Sequence, residues 1–201
     1  MKAPAWILGF HGCDRTVADR VLVGEDEIRP SENDYDWLGT GAYFWENNVA
    51  RALSWAKFLA SPIHRGDPKV KEPAVIGAII DPGNCLDLTE KSSIELVGGA
   101  YEGLRRFYEV NNVPLPANES AGQGDLDFVK RFLDCAVINF LHETREAGNL
   151  EAFDTVRAPF LEGGPLYPGA KISSRTHVQW CVRNPKNSIV GYFRPRGFDV
   201  E

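Results

Sequence analysis

The order of elements along the chain predicts an α+β fold, with strands at both ends and helices between them. Three observations carry that expectation. The apolar run "WILGF" at 6–10 and the continuous run "AVIGAII" at 74–80 read as strands, the second ending in the turn "DPGN". Three further strand-like stretches fill the last fifty residues: "FDTVRAPFL", "THVQWCVR" and "SIVGYF". Between the two groups the apolar residues recur at helical spacing.

Each element follows from its residues. A first strand over 5–10 runs into Asp14, a good N-cap for a helix over 15–23 whose Val17, Val21 and Leu22 share a face. The stretch "EDEIRPSENDYD" at 25–36 is polar, holds a proline and has no period, so it is a loop, expected to lie beside whatever Tyr43 lines. Asn47 opens a helix to about Ala60 with Val49, Leu53 and Ala56 on one side. "SSIE" at 92–95 matches a capping box and starts a helix to about Val110. After the loose stretch at 111–124, an amphipathic helix is expected from Asp125 to about Ala147, its stripe of Leu126, Val129, Phe132, Leu133, Ala136, Val137, Phe140 and Leu141 reading as core.

Composition bounds the function classes. With 201 residues the chain suits one domain over 1–201, and no apolar run approaches the ~18 residues of a membrane span. The N-terminal "MKAPAWILGFHG" lacks a long apolar segment followed by a cleavage site, so a mature cytoplasmic protein with no membrane contact is expected. Cys13, Cys85, Cys135 and Cys181 are scattered without C-x-x-C spacing, indicating reduced thiols rather than zinc or disulfides. A net charge of −6 argues against an extended nucleic-acid cradle, although Arg183, Lys186, Arg194 and Arg196 form a short basic edge.

Two stretches are hard to explain by packing alone. "FHGCD" at 10–14 ends a strand on an imidazole, a glycine and a thiol, and "DWLGTGAYFWE" at 36–46 crowds aromatics around Gly39 and Gly41. A late strand then carries "HVQW", which places His177 and Gln179 on one face by the two-residue period.

Strand-terminal His-Gly, then G-x-Y-F leading into a helix, then a late strand with H-x-Q: in this order the sequence resembles the ADP-ribosyltransferase superfamily. It is closest to the His-Tyr-Glu branch shared by diphtheria toxin and the poly(ADP-ribose) polymerases, with Gln179 in place of the glutamate. The resemblance implies a split antiparallel β-sandwich around an NAD cleft, in which the helical region at about 89–148 looks like an insertion of this subgroup. It implies NAD as substrate, held by His11, Gly12, Cys13, Gly41, Tyr43 and Phe44, with a catalytic set of His11, Tyr43, Gln179, Glu162 and His177. The implied activity is mono-ADP-ribosylation of a macromolecule, protein or nucleic acid, as in a bacterial toxin or defence factor with an antitoxin or immunity partner.

The chemistry suits such residues. Cleaving the nicotinamide–ribose bond passes through an oxocarbenium-like state that needs positioning and electrostatics, and no metal. An imidazole can bind a ribose hydroxyl, a glycine lets the carboxamide meet backbone N–H and C=O, and the Tyr43 ring offers a stacking face. Gln179 keeps the glutamate's geometry but weakens the charge stabilisation by about tenfold in rate. Glu162 in "FLEGG", ahead of Glu46 in "YFWE", is the acid that would substitute. His177, with an ordinary pKa near ~6.5, would serve as base toward a hydroxyl, thiol or base nitrogen, so the expected acceptor is not arginine. Cys13 has no reason to reach His11 as a Cys/His nucleophile pair. Three other readings stand beside the transferase: a catalytically weak or inactive NAD or ADP-ribose-binding module, an NAD glycohydrolase, and an unrelated α+β protein.

Overall fold

Seven strands pair in the order β4-β5-β6-β2-β1-β3-β7, and five helices lie against their two faces. The structure is a computed structural model and describes residues 5–61, 70–120 and 127–197. The strands are β1 (Ile7–Asp14), β2 (Ala42–Glu46), β3 (Pro73–Ile80), β4 (Cys85–Asp87), β5 (Thr155–Phe160), β6 (His177–Val182) and β7 (Ile189–Phe193). The helices are α1 (Arg15–Leu22), α2 (Val49–Ala60), α3 (Lys91–Val110), α4 (Phe132–Ala147) and the single turn α5 (Pro185–Ser188). The fold is therefore mixed α+β, with an open sheet whose strands pair antiparallel except at β4 and β5. That parallel edge requires a long crossover, which α3 and α4 supply between the two strands. No helix among the described residues is long and apolar enough to cross a membrane.

The two-residue period of the strands sorts the core into two faces. On one face Cys13, Ala42, Phe44, Ile76, Ile80, Trp180 and Val182 pack under Ala18 and Val21 of α1 and under Ile28. The opposite face is divided between two helical covers. Leu86, Val156, Ala158 and Cys181 lie beneath α3 and α4 through Ala100, Leu104, Val137, Ile138 and Leu141, while Phe10 and Trp45 lie beneath Ala52 of α2.

Asp14 explains the sharp turn after β1. Its carboxylate accepts from the Thr16 N–H at 3.0 Å and hydroxyl at 2.7 Å, and from the Lys71 and Glu72 N–H groups at 2.7 and 3.0 Å. One side chain thus caps α1 and ties it to the chain entering β3. Burial alone would raise its pKa, but these bonds outweigh that and hold it well below the usual carboxylate range.

Several expectations are corrected. The "SSIE" box does not cap α3, which begins at Lys91 with Glu90 at the N-cap position, so Ser92 is already helical. α4 begins at Phe132 rather than Asp125: Phe128 has φ 50°, outside helical geometry, and Phe128 and Val129 are exposed. Asp125 and Leu126 lie outside the described residues, as do Met1 to Pro4 of the N-terminal stretch. All seven strands join in one open sheet, in keeping with an α+β fold, and the join between β2 and β1 is short.

Candidate functional site

That short join is where His11, Gly12 and the Tyr43 backbone meet, whereas Gln179, His177 and Glu162 lie on β6 and just past β5. Along its β3 edge β1 is paired from Ile7 to Asp14, but along its β2 edge the register covers only Gly9 with Glu46 and Phe10 with Trp45. The Asn47 N–H donates to the Leu8 carbonyl at 2.9 Å, so the backbone polar groups of Leu8 face β2. Alternation along an antiparallel ladder then turns those of Phe10 and Gly12 the same way. At Gly12 the β2 ladder has ended, so its amide and carbonyl face the β2 side without a ladder partner there, although Gly12 itself is buried. The Tyr43 carbonyl, the partner Gly12 would have had in a continued ladder, instead accepts a hydrogen bond from His11 Nδ1 at 2.7 Å.

That bond fixes the tautomer of His11. A carbonyl only accepts, so Nδ1 carries the hydrogen and Nε2 is a bare acceptor. Burial lowers the His11 pKa and the bond to Tyr43 only partly opposes it, keeping the ring neutral. The imidazole lies 5.7 Å from the Phe44 ring and opens on a cleft of about 310 Å³ lined also by Val17, Arg20, Asp26, Glu27, Ile28 and Arg29. Residues 26–29 of the 25–36 loop therefore sit beside His11, while Ser31 pairs with Gly41 and Asp36 lies close enough to the Tyr43 hydroxyl to act on it.

Tyr43 and Phe44 are neighbours on a strand and face opposite ways. Phe44 is fully buried with His11 nearby, while the Tyr43 ring packs on the side covered by α3 and α4. Its hydroxyl donates to the Gly39 carbonyl at 2.7 Å and accepts from the Leu38 N–H at 3.0 Å, closing the "WLGTG" turn in which Gly39 has φ 78°. Burial pushes its pKa well above the ordinary tyrosine value. The expectation of His11 and the Tyr43 ring as two walls of one slot is corrected: it is the Tyr43 backbone that meets His11.

Glycine is needed at 12 and 41 because of close packing. A Cβ at Gly12 would lie 2.1 Å from the Ala52 carbonyl oxygen of α2, and one at Gly41 2.4 Å from Cys181 Sγ. Approach to Gly12 is thus left to its seam edge. Cys13 points into the core, where burial and the Asp14 charge push its thiol up to about 12, so it has no thiolate to offer.

Gln179 pairs with Trp45 across β2 and β6, which places it on the Tyr43 face. Its Oε1 accepts from Trp37 Nε1 at 2.7 Å. Because the indole only donates, this bond also sets the amide orientation, with the NH2 as the remaining donor. Glu46 is on the other face and structural: Arg157 Nε donates to it at 2.7 Å and Trp180 Nε1 at 2.6 Å. Burial raises its pKa, and these two partners bring it back below the ordinary value.

Glu162, just past β5, is covered to 12% side-chain exposure and is ion-paired with Arg51 in the first turn of α2. Burial raises its pKa in spite of Arg51 and Arg175. His177 is buried, with Nδ1 donating to the Arg175 carbonyl at 2.8 Å and its ring 5.3 Å from Phe160. Its pKa is lowered by burial, and the positive Arg51 and Arg175 push the same way. Two participants escaped the sequence reading. Trp37 was visible only as part of an aromatic-rich turn, and Arg51 carried no signal because its partner is 111 residues away.

Comparison with known proteins adds a relative but no activity. The chain is 29% identical over 192 residues to an uncharacterized protein of Methanocaldococcus jannaschii, covering 88% of this chain and 81% of that protein. No family model matches the chain. No solved structure matches it either.

Proposed function

We propose that the protein binds NAD at the β1/β2 seam and is an NAD-dependent mono-ADP-ribosyltransferase with an ADP-ribosyltransferase-like fold. The observation that carries this reading is the Gly12 amide and carbonyl facing an unpaired strand edge beside a neutral His11 whose Nε2 is a bare acceptor. A primary carboxamide donates and accepts side by side, which is the complement of one residue's N–H and C=O. The nicotinamide carboxamide would bind there, with a ribose hydroxyl donating to His11 Nε2. The Tyr43 backbone shapes the wall, the buried Phe44 ring backs His11, and Gln179 and His177 lie beyond β2 on β6.

The transfer would break the C–N bond between ribose and nicotinamide, the electron pair leaving with the nicotinamide ring nitrogen. An acceptor nucleophile of the macromolecule bonds to the ribose carbon and gives its proton to a base, for which His177 is the candidate. The acceptor is a protein or a nucleic acid and is not arginine, since no carboxylate occupies the His177 position. A toxin or defence role with an antitoxin or immunity partner, and a cytoplasmic location, belong to this same reading.

A second reading is favoured by Gln179. With Oε1 engaged by Trp37, its outward donor can hold a ribose hydroxyl but gives little to a developing positive charge, as expected of an NAD-binding module without turnover. Incubation with NAD labelled in the adenylate part separates the cases. Label on the protein or an added target supports transfer, saturable binding without turnover supports the module, and free ADP-ribose alone supports a glycohydrolase. Absence of NAD binding by calorimetry at millimolar concentration defeats all three.

A further inference from the structure

Three polar atoms near the β5–β6 connection are buried without a hydrogen-bond partner: Trp45 Nε1, Arg51 Nε and His177 Nε2. Trp45 and His177 are 5% and 6% exposed, with ring centroids 6.4 Å apart. Arg51 is close enough to His177 for its charge to act on the imidazole, and its partner Glu162 accepts at its carbonyl from the Arg175 N–H at 2.9 Å. Leaving one buried polar group unpaired costs about 1–3 kcal/mol, so three at one spot ask for a ligand.

The geometry at Arg51 says which kind. A guanidinium grips an oxyanion through two N–H groups in a fork, and Glu162 takes only Nη2, leaving Nε orphaned beside it. Glu162 is also a poorly held occupant, its charge disfavoured by burial even with two arginines close. The backbone around it is tied down by the Arg175 and Ser174 N–H groups and by the Asp127 carboxylate, so it is the Glu162 side chain alone that would turn aside.

We propose that Arg51, Trp45 and His177 form a binding site for a phosphate-type oxyanion, which Glu162 fills as an internal substitute in the resting protein. A tetrahedral oxyanion has oxygens for Arg51 Nε and Nη2 and for the Trp45 N–H at once. A P–OH donates to His177 Nε2, whose lone pair is free to accept because Nδ1 holds the hydrogen. A carboxylate offers two oxygens and no donor. The site shares His177 with the NAD reading, but phosphate binding is tested without NAD and can hold or fail by itself, and the phosphate can be a free ion or part of a larger ligand.

The test is a titration with inorganic phosphate, and in parallel with ribose 5-phosphate, at constant ionic strength, followed by the nitrogen-15 signals of the Trp45 indole and the His177 ring. Glu162→Gln removes the competitor and is expected to bind phosphate at least about tenfold more tightly than the wild type, a difference of about 1.4 kcal/mol. Arg51→Lys keeps the charge but not the fork, and is expected to bind more weakly than the wild type with unchanged thermal melting. Tighter binding of the ester than of the free ion marks a larger ligand as the natural one. Equal affinity in Glu162→Gln and wild type, affinity undiminished in Arg51→Lys, or no binding by any of them overturns the proposal.

Discussion

Strand β1 has two unlike edges. Its β3 edge is paired from Ile7 to Asp14, and its far end is locked by the four hydrogen bonds to Asp14. Its β2 edge is paired at two positions and then replaced by one imidazole on one carbonyl. Where a continued ladder would offer the Tyr43 carbonyl to Gly12, the His11 ring takes it instead. The locked edge holds β1 still, and the open edge presents its backbone. Polar residues of the first kind should therefore change stability when altered, and those of the second kind should change ligand binding while stability barely moves.

The largest effect is expected at the lock. Asp14→Ala removes a partly buried charged acceptor from three N–H groups and a hydroxyl, and should cost about 3–5 kcal/mol in urea unfolding, each such bond being worth about 1.5–3 kcal/mol before relaxation. A loss under 1 kcal/mol would mean that β1 is held by its β3 ladder alone.

Next comes His142 of α4, in the packed helical half, with both ring nitrogens buried and unpartnered. Burial, with Arg183 and Arg145 adding to it, lowers its pKa to about 3 from 6.5. A histidine that must stay neutral in the fold withdraws stability as pH falls: its contribution is whole above about 6.5 and is lost progressively toward 3. Over the 2.5 units from 6.5 to pH 4 that is about 3 kcal/mol at 1.36 kcal/mol per unit. The pH 7 to pH 4 drop in unfolding free energy should therefore shrink by about that amount in His142→Leu, and equal drops would refute the assignment.

At the open edge the pattern should reverse. His11→Ala loses one hydrogen bond, a stability change of about 1 kcal/mol, whereas NAD affinity should fall at least about tenfold. Unchanged affinity would show that the seam is merely a packing irregularity.

How much of this the sequence carries depends on the range of each interaction. β1, α1 with its Asp14 cap, and β3 are legible because period, cap and turn are local. β4 is not: three residues, Cys85–Asp87, become a strand only by pairing parallel to β5 seventy positions on. The candidate residues were readable as a set, but their directions were not applied. Strict alternation sends Tyr43 and Phe44 to opposite faces, so only one of the two rings can face His11, and the register between β1 and β2 makes it Phe44. Arg51 was beyond reach, since nothing near it in sequence marks an arginine awaiting Glu162.

The smallest change is the one that divides catalyst from binder. In Gln179→Glu the Trp37 indole still donates to an oxygen at the same place, so the side chain should keep its position and gain a charge-assisted bond. If the seam positions NAD for cleavage, the new carboxylate faces the developing positive charge, and turnover should rise about tenfold with little change in NAD affinity. A chain already fitted to glutamine would show the opposite: the charge enters beside buried Trp45 and His177, and affinity falls with no turnover gained. Measuring nicotinamide release and NAD affinity together separates these outcomes, because a purely structural Gln179 leaves both at the wild-type level.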